Sequence, residues 1–160
     1  MKRGFIFAVV FCVMACLPAL RSASATELPQ NITLMTQDGG SVNTTALRHS
    51  PLVLMIGSAW CPECRKDAPE FQKAYIAYKD KGVQFLMVLG MTSDDDFRDF
   101  IATYKITHLI AKDNGLAEAL GVRPIPQTFF FSKGGKLQKR IFGEASYREL
   151  SKYIDKLIAE

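Results

Sequence analysis

The chain has 160 residues, 48% of them hydrophobic and 22% charged, with 20 lysines and arginines, 16 acids, two histidines and four cysteines. That apolar fraction belongs to a folded globular chain rather than a disordered one. The basic excess is concentrated at the start: without residues 1–25 the count becomes 17 basic against 16 acidic side chains, which removes the reason to invoke nucleic acid or an anionic membrane surface as partner.

Residues 1–25 read as a secretory signal peptide. Lys2 and Arg3 precede an almost unbroken apolar run from Gly4 to Leu20, and Ala23-Ser24-Ala25 offers small side chains at the spacing a signal peptidase reads. The run approaches the ~17-residue lower limit for spanning a bilayer, so an uncleaved membrane anchor is the alternative. Pro18 and the small-residue site favour cleavage, and lipid attachment at Cys16 is a weaker option because Met14 fits a lipoprotein site poorly. Cleavage carries off Cys12 and Cys16 and leaves Cys61 and Cys64 in an exported, periplasmic chain, where the surroundings are oxidising. Residues 26–160 then form one domain, expected as a monomer, with no repeat, low-complexity tract or linker.

In chain order, Ile32 to Met35 and Ser41-Val42 flank Asp38-Gly39-Gly40 and predict a small hairpin. Leu52 to Ile56 is a short continuous apolar stretch between Pro51 and Gly57, the pattern of a strand buried on both faces. Apolar residues recurring from Ala68 to Tyr78 predict a helix from Pro62 to about Lys81, with Pro69 expected to kink it. Val83 to Leu89 is the next buried strand. Thr92 or Ser93 then caps a helix whose first turn holds Asp94, Asp95 and Asp96 against the positive end of its dipole, and Phe97, Phe100, Ile101 and Tyr104 form its buried face. A short strand at Leu109 to Ala111 and a short helix at Leu116 to Leu120 follow. Thr128 to Phe131 and Gln138 to Phe142 are strands joined across Ser132 to Gly135, and a final helix runs from about Ser146 to Ile158. The class is α/β: a mixed central sheet flanked by helices.

The stretch Ser58-Ala59-Trp60-Cys61-Pro62-Glu63-Cys64 carries the chemistry. A zinc site needs four ligands, and the mature chain supplies one cysteine pair with only His49 and His108 besides, so no metal is expected and both histidines read as loop or packing residues. A structural disulfide across two intervening residues closes too small a loop to remove much unfolded-state entropy. A redox role has a mechanism. Cys61 lies where a buried strand meets a helix, whose free N–H groups and dipole stabilise a thiolate, and Cys64, one turn further on, can attack a mixed disulfide formed at Cys61.

The segment Ala59 to Lys66, with Pro69 beyond it, resembles the active-site segment of the thioredoxin superfamily. Gly121-Val122-Arg123-Pro124-Ile125-Pro126-Gln127-Thr128 and the strand after it resemble that family's cis-proline loop. Within the superfamily the chain resembles the exported TlpA/ResA branch, through its opening hairpin and the helix-strand insertion Ser93 to Ala111. The resemblance implies a thioredoxin-like fold, a cis Pro126 facing the cysteine pair, and an Ile125 backbone that offers strand-like hydrogen bonds to a partner. Trp60, Ile125 and Pro126 would shape a shallow apolar docking surface.

Three departures bear on the chemistry. Glu63 occupies a place where relatives often have proline, and a carboxylate there favours a less oxidising pair. Met55 stands where thioredoxin has a buried acid, and Asp67, three positions after Cys64, stands where ResA-like proteins have a tuning glutamate. Asp67 is therefore either the proton acceptor for Cys64 or a solvated helical acid beside Arg65 and Lys66. Pro124 replaces a common glycine and is expected to stiffen the loop.

The expected activity is that of a protein thiol-disulfide oxidoreductase: Cys61 as nucleophile, Cys64 as resolving group, Asp67 as proton acceptor, and no cofactor beyond the Cys61–Cys64 disulfide. By resemblance its partners are client proteins with cysteine pairs, such as apocytochrome c or copper-site proteins of oxidase assembly, and an upstream membrane thiol-disulfide electron donor. The alternatives are a DsbA-like disulfide donor and a non-enzymatic copper(I) chaperone that binds through both thiolates. Peroxidase activity is disfavoured because Cys61 lacks a Pro-x-x-x-Thr-x-x-Cys context.

Overall fold

A computed structural model describes residues 26–159. The expected signal, residues 1–25 with Cys12 and Cys16, lies outside the described residues. Among those described, no helix is long and apolar enough to cross a membrane.

Five strands build the central sheet: β3 (Leu52–Gly57), β4 (Gln84–Leu89), β5 (Leu109–Lys112), β6 (Gln127–Phe131) and β7 (Leu137–Phe142), in the order β5-β4-β3-β6-β7. The β3–β4 and β4–β5 pairs are parallel, and β3–β6 and β6–β7 antiparallel, so the sheet is mixed as the class required. Every residue of β3 is buried, which is why its sequence shows no alternation. The pleat still sorts its side chains: Val53 and Met55 join one core layer, while Leu52, Leu54 and Ile56 join the other.

Three helices cover the first layer: α1 (Pro62–Tyr78), α2 (Asp94–Tyr104) and α4 (Tyr147–Ile158), contributing Phe71, Phe97 with Phe100, and Leu150, Ile154 with Leu157. The second layer lies beneath α3 (Leu116–Ala119) and the hairpin β1 (Thr33–Met35) and β2 (Ser41–Asn43). The N-terminal segment crosses that face from edge to edge. Glu27 bridges to Lys136 beside β7, and Thr36 bridges to Ala111 on β5, so part of each exposed sheet edge is paired.

Several boundaries differ from the sequence expectation. A 3-10 turn at Ala46–His49, seated by Leu47, is unmarked in the apolar pattern because one buried residue makes no period. Helix α1 stops at Tyr78, whose hydroxyl donates to Asp155 of α4 (2.8 Å). It also runs unbroken through Pro69. Ser93 is the cap of α2, its Oγ accepting the Asp96 N–H, and the chain leaves that helix through a left-handed Lys105.

His108 is buried edge-on between the rings of Phe71 and Tyr75, and its Nδ1 meets the Leu109 carbonyl at 3.0 Å. Burial pushes its pKa down to about 4 from 6.5. The unfolded chain therefore takes up a proton that the native ring refuses. The contribution to stability is complete above pH 6.5 and is lost as pH falls from 6.5 towards 4, amounting to about 3 kcal/mol. His108→Leu is expected to flatten the slope of urea-unfolding stability against pH across that window. An unchanged slope would remove His108 from the account.

Candidate active site

The two sulfurs are placed by a junction that the sequence forces. Strand β3 ends at Gly57, three residues turn, and Cys61 caps α1 with extended backbone. Its Sγ takes the place of a capping oxygen and accepts the Cys64 N–H at 3.4 Å, so it sits at the positive end of the helix. The same thiol donates to Glu63 Oε2 at 3.6 Å. Both cysteines are free thiols. Cys61 is only 3% exposed, less open than its expected role as attacking group suggested, and its chain neighbours Trp60, at 57%, Pro62 and Glu63 are exposed.

The peptide before Trp60 is fixed from both sides. The Ala59 N–H donates to Thr92 Oγ1 at 3.2 Å, Thr92 Oγ1 donates onward to the Gly90 carbonyl, and the Arg65 Nε donates to the Ala59 carbonyl at 2.7 Å. Thr92 is a residue that sequence reasoning weighed only as a helix cap. Its hydroxyl fastens the approach to the cysteines instead.

Cys64 is fully buried against the end of β3. A β-carbon on Gly57 would lie 2.8 Å from Cys64 Sγ and 3.2 Å from Cys64 Cβ, so glycine there is a requirement of the site, although the sequence marked it only as a strand boundary. Gly57→Ala is expected to displace the Cys64 sulfur and slow resolution of a mixed disulfide about tenfold or more, since the contact is with the short, fully buried Cys64 side chain, which has little room to move aside. Stopped-flow release of a thiol leaving group checks this, and an unchanged rate would show that the site yields without loss.

Burial pushes the Cys64 thiol far above its ordinary range, helped by its side-chain hydrogen bonding with Cys61 and by the negative charges of Cys61 and Asp67. Asp67 follows on the same helix, 4% exposed, and is thus not a solvated surface acid. Its Oδ1 accepts the Ala145 N–H at 3.0 Å, while Oδ2 has no partner among the described residues. Burial raises its pKa to about 7 from 3.8, against the lowering effect of the Ala145 bond, and the charges of Glu144 and Glu70 push it further up. The neighbours of Asp67 on α1 bind the same distant loop: Lys66 pairs with Glu144 at 2.7 Å, and Glu70 accepts the Tyr147 N–H at 2.6 Å.

The Ile125–Pro126 peptide is cis. The antiparallel register pairs Ile56 with Gln127, so Pro126 follows in line with Gly57, and its carbonyl accepts the Gly143 N–H at 2.9 Å. Ile125 packs against the core layer that contains both cysteines. It also lines a groove of 390 Å³ with Ile56, Gly57, Met91 and Val122. Met91 and Phe142, the latter 63% exposed, add apolar surface near the loop that the sequence could not locate. Met55 lies buried beneath the site in place of an ionisable group. Among the described residues no group of three or more His, Cys, Asp or Glu side chains is placed to hold a metal.

Residues 25–140 match the AhpC/TSA family. The thiol-disulfide oxidoreductase ResA of Bacillus thuringiensis (strain Al Hakam) is 27% identical over 129 residues, covering 79% of this chain and 75% of that protein. ResA of Halalkalibacterium halodurans is 29% identical over 119 residues, covering 73% and 68%. Among solved structures, a thiol:disulfide interchange protein of the thioredoxin family from Chlorobium tepidum TLS superposes with a TM-score of 0.74 at 18% identity, covering 85% of this chain and 99% of that one. StoA from Bacillus subtilis gives 0.66 at 24%, covering 77% and 95%. The fold is thioredoxin-like.

Proposed function

The chain belongs to the AhpC/TSA family, and on that premise we propose an exported, periplasmic thiol-disulfide oxidoreductase that reduces disulfides in client proteins. The observation that carries the reading is the capping sulfur of Cys61, held at the start of α1 with the Cys64 N–H upon it and a second free thiol one turn behind.

The steps balance. The Cys61 thiolate attacks one sulfur of a client disulfide; that bond breaks, the other client sulfur leaves and takes up a proton, and a mixed disulfide joins Cys61 to the client. Cys64 then gives its proton to Asp67 and attacks Cys61 Sγ. The mixed disulfide breaks, the Cys61–Cys64 disulfide forms, and the second client sulfur leaves as a thiol. Two electrons have passed from the pair to the client. An upstream membrane thiol-disulfide carrier returns them. A group with a pKa of about 7 is matched to this proton transfer at neutral pH, whereas Cys64 alone holds its proton too tightly.

Trp60, Ile125 and Pro126 form the docking rim, and the clients carry cysteine pairs, of which apocytochrome c or oxidase copper-site cysteines are the proposed class. Export is supported by the apolar run from Gly4 to Leu20 and the small residues before Thr26, with the chain either released or held by that run. No cofactor beyond the cysteine pair enters the mechanism. The test is the reduction potential of the pair in glutathione buffers. A reductant is expected well below ~−200 mV, and a value near ~−120 mV would replace this reading with that of a disulfide donor.

A further inference from the structure

The loop between α3 and β6, residues 120–126, presents the residues proposed to meet the client. Among the described residues, no hydrogen bond engages the N–H or C=O of Ile125 within the fold, so that backbone is available to an incoming strand. Such a loop needs an external brace to hold it ready.

The brace is one side chain on the edge strand β7. The guanidinium of Arg140 donates through Nε to Gln127 Oε1 at 2.6 Å, through NH1 to the Leu120 carbonyl at 3.3 Å and through NH2 to the Gly121 carbonyl at 3.1 Å. Both ends of the loop are thus tied to a single planar group. Gln127, fully buried, passes the restraint inward, its Nε2 donating to the Pro124 carbonyl at 2.6 Å. The guanidinium itself cannot swing, because it lies 4.7 Å from the ring centroids of both Phe129 and Phe142. Three acceptors in one fork and two aromatic rings suit arginine and not lysine, whose ammonium is a single point charge.

We propose that Arg140 is a positioning residue for client recognition: through Gln127 it fixes the Gly121–Gln127 loop so that Ile125 and Pro126 meet a protein client in the bound geometry. The proposal rests on the reading of this loop as the docking surface. Arg140 does not touch the sulfurs, so its effect falls on docking rather than on exchange itself.

The experiment compares wild type, Arg140→Met and Arg140→Lys on two disulfides: oxidised insulin, which must dock, and 5,5′-dithiobis(2-nitrobenzoate), which need not. Arg140→Met is expected to raise KM for insulin about tenfold while kcat, the reaction with the small disulfide and the reduction potential each change less than about twofold. Amide hydrogen exchange across residues 121–127 should quicken while that of α4 stays unchanged. If Arg140→Met does not fold, Arg140→Lys carries the same comparison with a KM rise of about threefold. Equal losses on both substrates, a shifted potential, or an unaltered insulin KM would overturn the proposal. Wild type inert toward both disulfides would sink the oxidoreductase reading, and the exchange rates would still decide whether Arg140 braces the loop.

Discussion

Cys61→Ser is expected to lower reduction of a protein disulfide by about a thousandfold or more, whereas Cys64→Ser halts after one step and accumulates a client bound to Cys61. The asymmetry follows from position. Only Cys61 stands at the cap, with exposed chain neighbours Trp60, Pro62 and Glu63, while Cys64 is sealed between α1 and Gly57. A serine at position 61 keeps the capping hydrogen bond and hence the fold, but it is no nucleophile toward sulfur at neutral pH. A serine at position 64 leaves nothing to displace the client. Non-reducing electrophoresis with an oxidised client distinguishes the two. Adducts formed through Cys64 in the Cys61→Ser variant, at a rate comparable to those through Cys61, would reverse the assigned roles.

Asp67→Asn is expected to act on catalysis and stability in opposite directions. In the wild type, resolution of the mixed disulfide should accelerate as pH rises through about 7, because the carboxylate can accept the Cys64 proton only when ionised. The amide cannot accept it at all, so resolution slows about a hundredfold above pH 7 and the step near 7 disappears. The folded-state pKa lies above the unfolded value of 3.8, so the native state carries no penalty below pH 3.8, accumulates one between 3.8 and 7, and bears it in full above 7. Removing the charge should therefore stabilise the protein by about 2–4 kcal/mol at pH 8 and have little effect near pH 4. Urea unfolding at the two pH values measures it. A variant that is less stable at pH 8, or that resolves mixed disulfides at the wild-type rate, would show Asp67 to be a structural acid.

What the sequence discloses about this site depends on how locally each piece is determined. Strand β3, the helix after it and the cysteine spacing could be read from Leu52 to Tyr78 because composition, a turn and a period coincide within one stretch. The acid at position 67 was visible through its spacing from Cys64, but its burial was not, since the loop that covers it, Glu144 to Tyr147, lies some 78 residues further on. The same holds for Arg140. Its role follows from the register that lays β7 along β6, with Arg140 opposite Phe129 and Phe142 opposite Gln127, and no local pattern announces that pairing. Gly57 was legible as a break and illegible as a contact. Thr92 looked like one of two possible caps because its actual acceptor role, toward Ala59, spans 33 positions.

One measurement reaches the centre of the account, the division of labour between the two sulfurs. The reduced protein is treated with limiting iodoacetamide at neutral pH and the modified cysteine is located by peptide mass spectrometry. Label is expected on Cys61, with Cys64 almost unmodified. Comparable labelling of the two, or preferential labelling of Cys64, would contradict it.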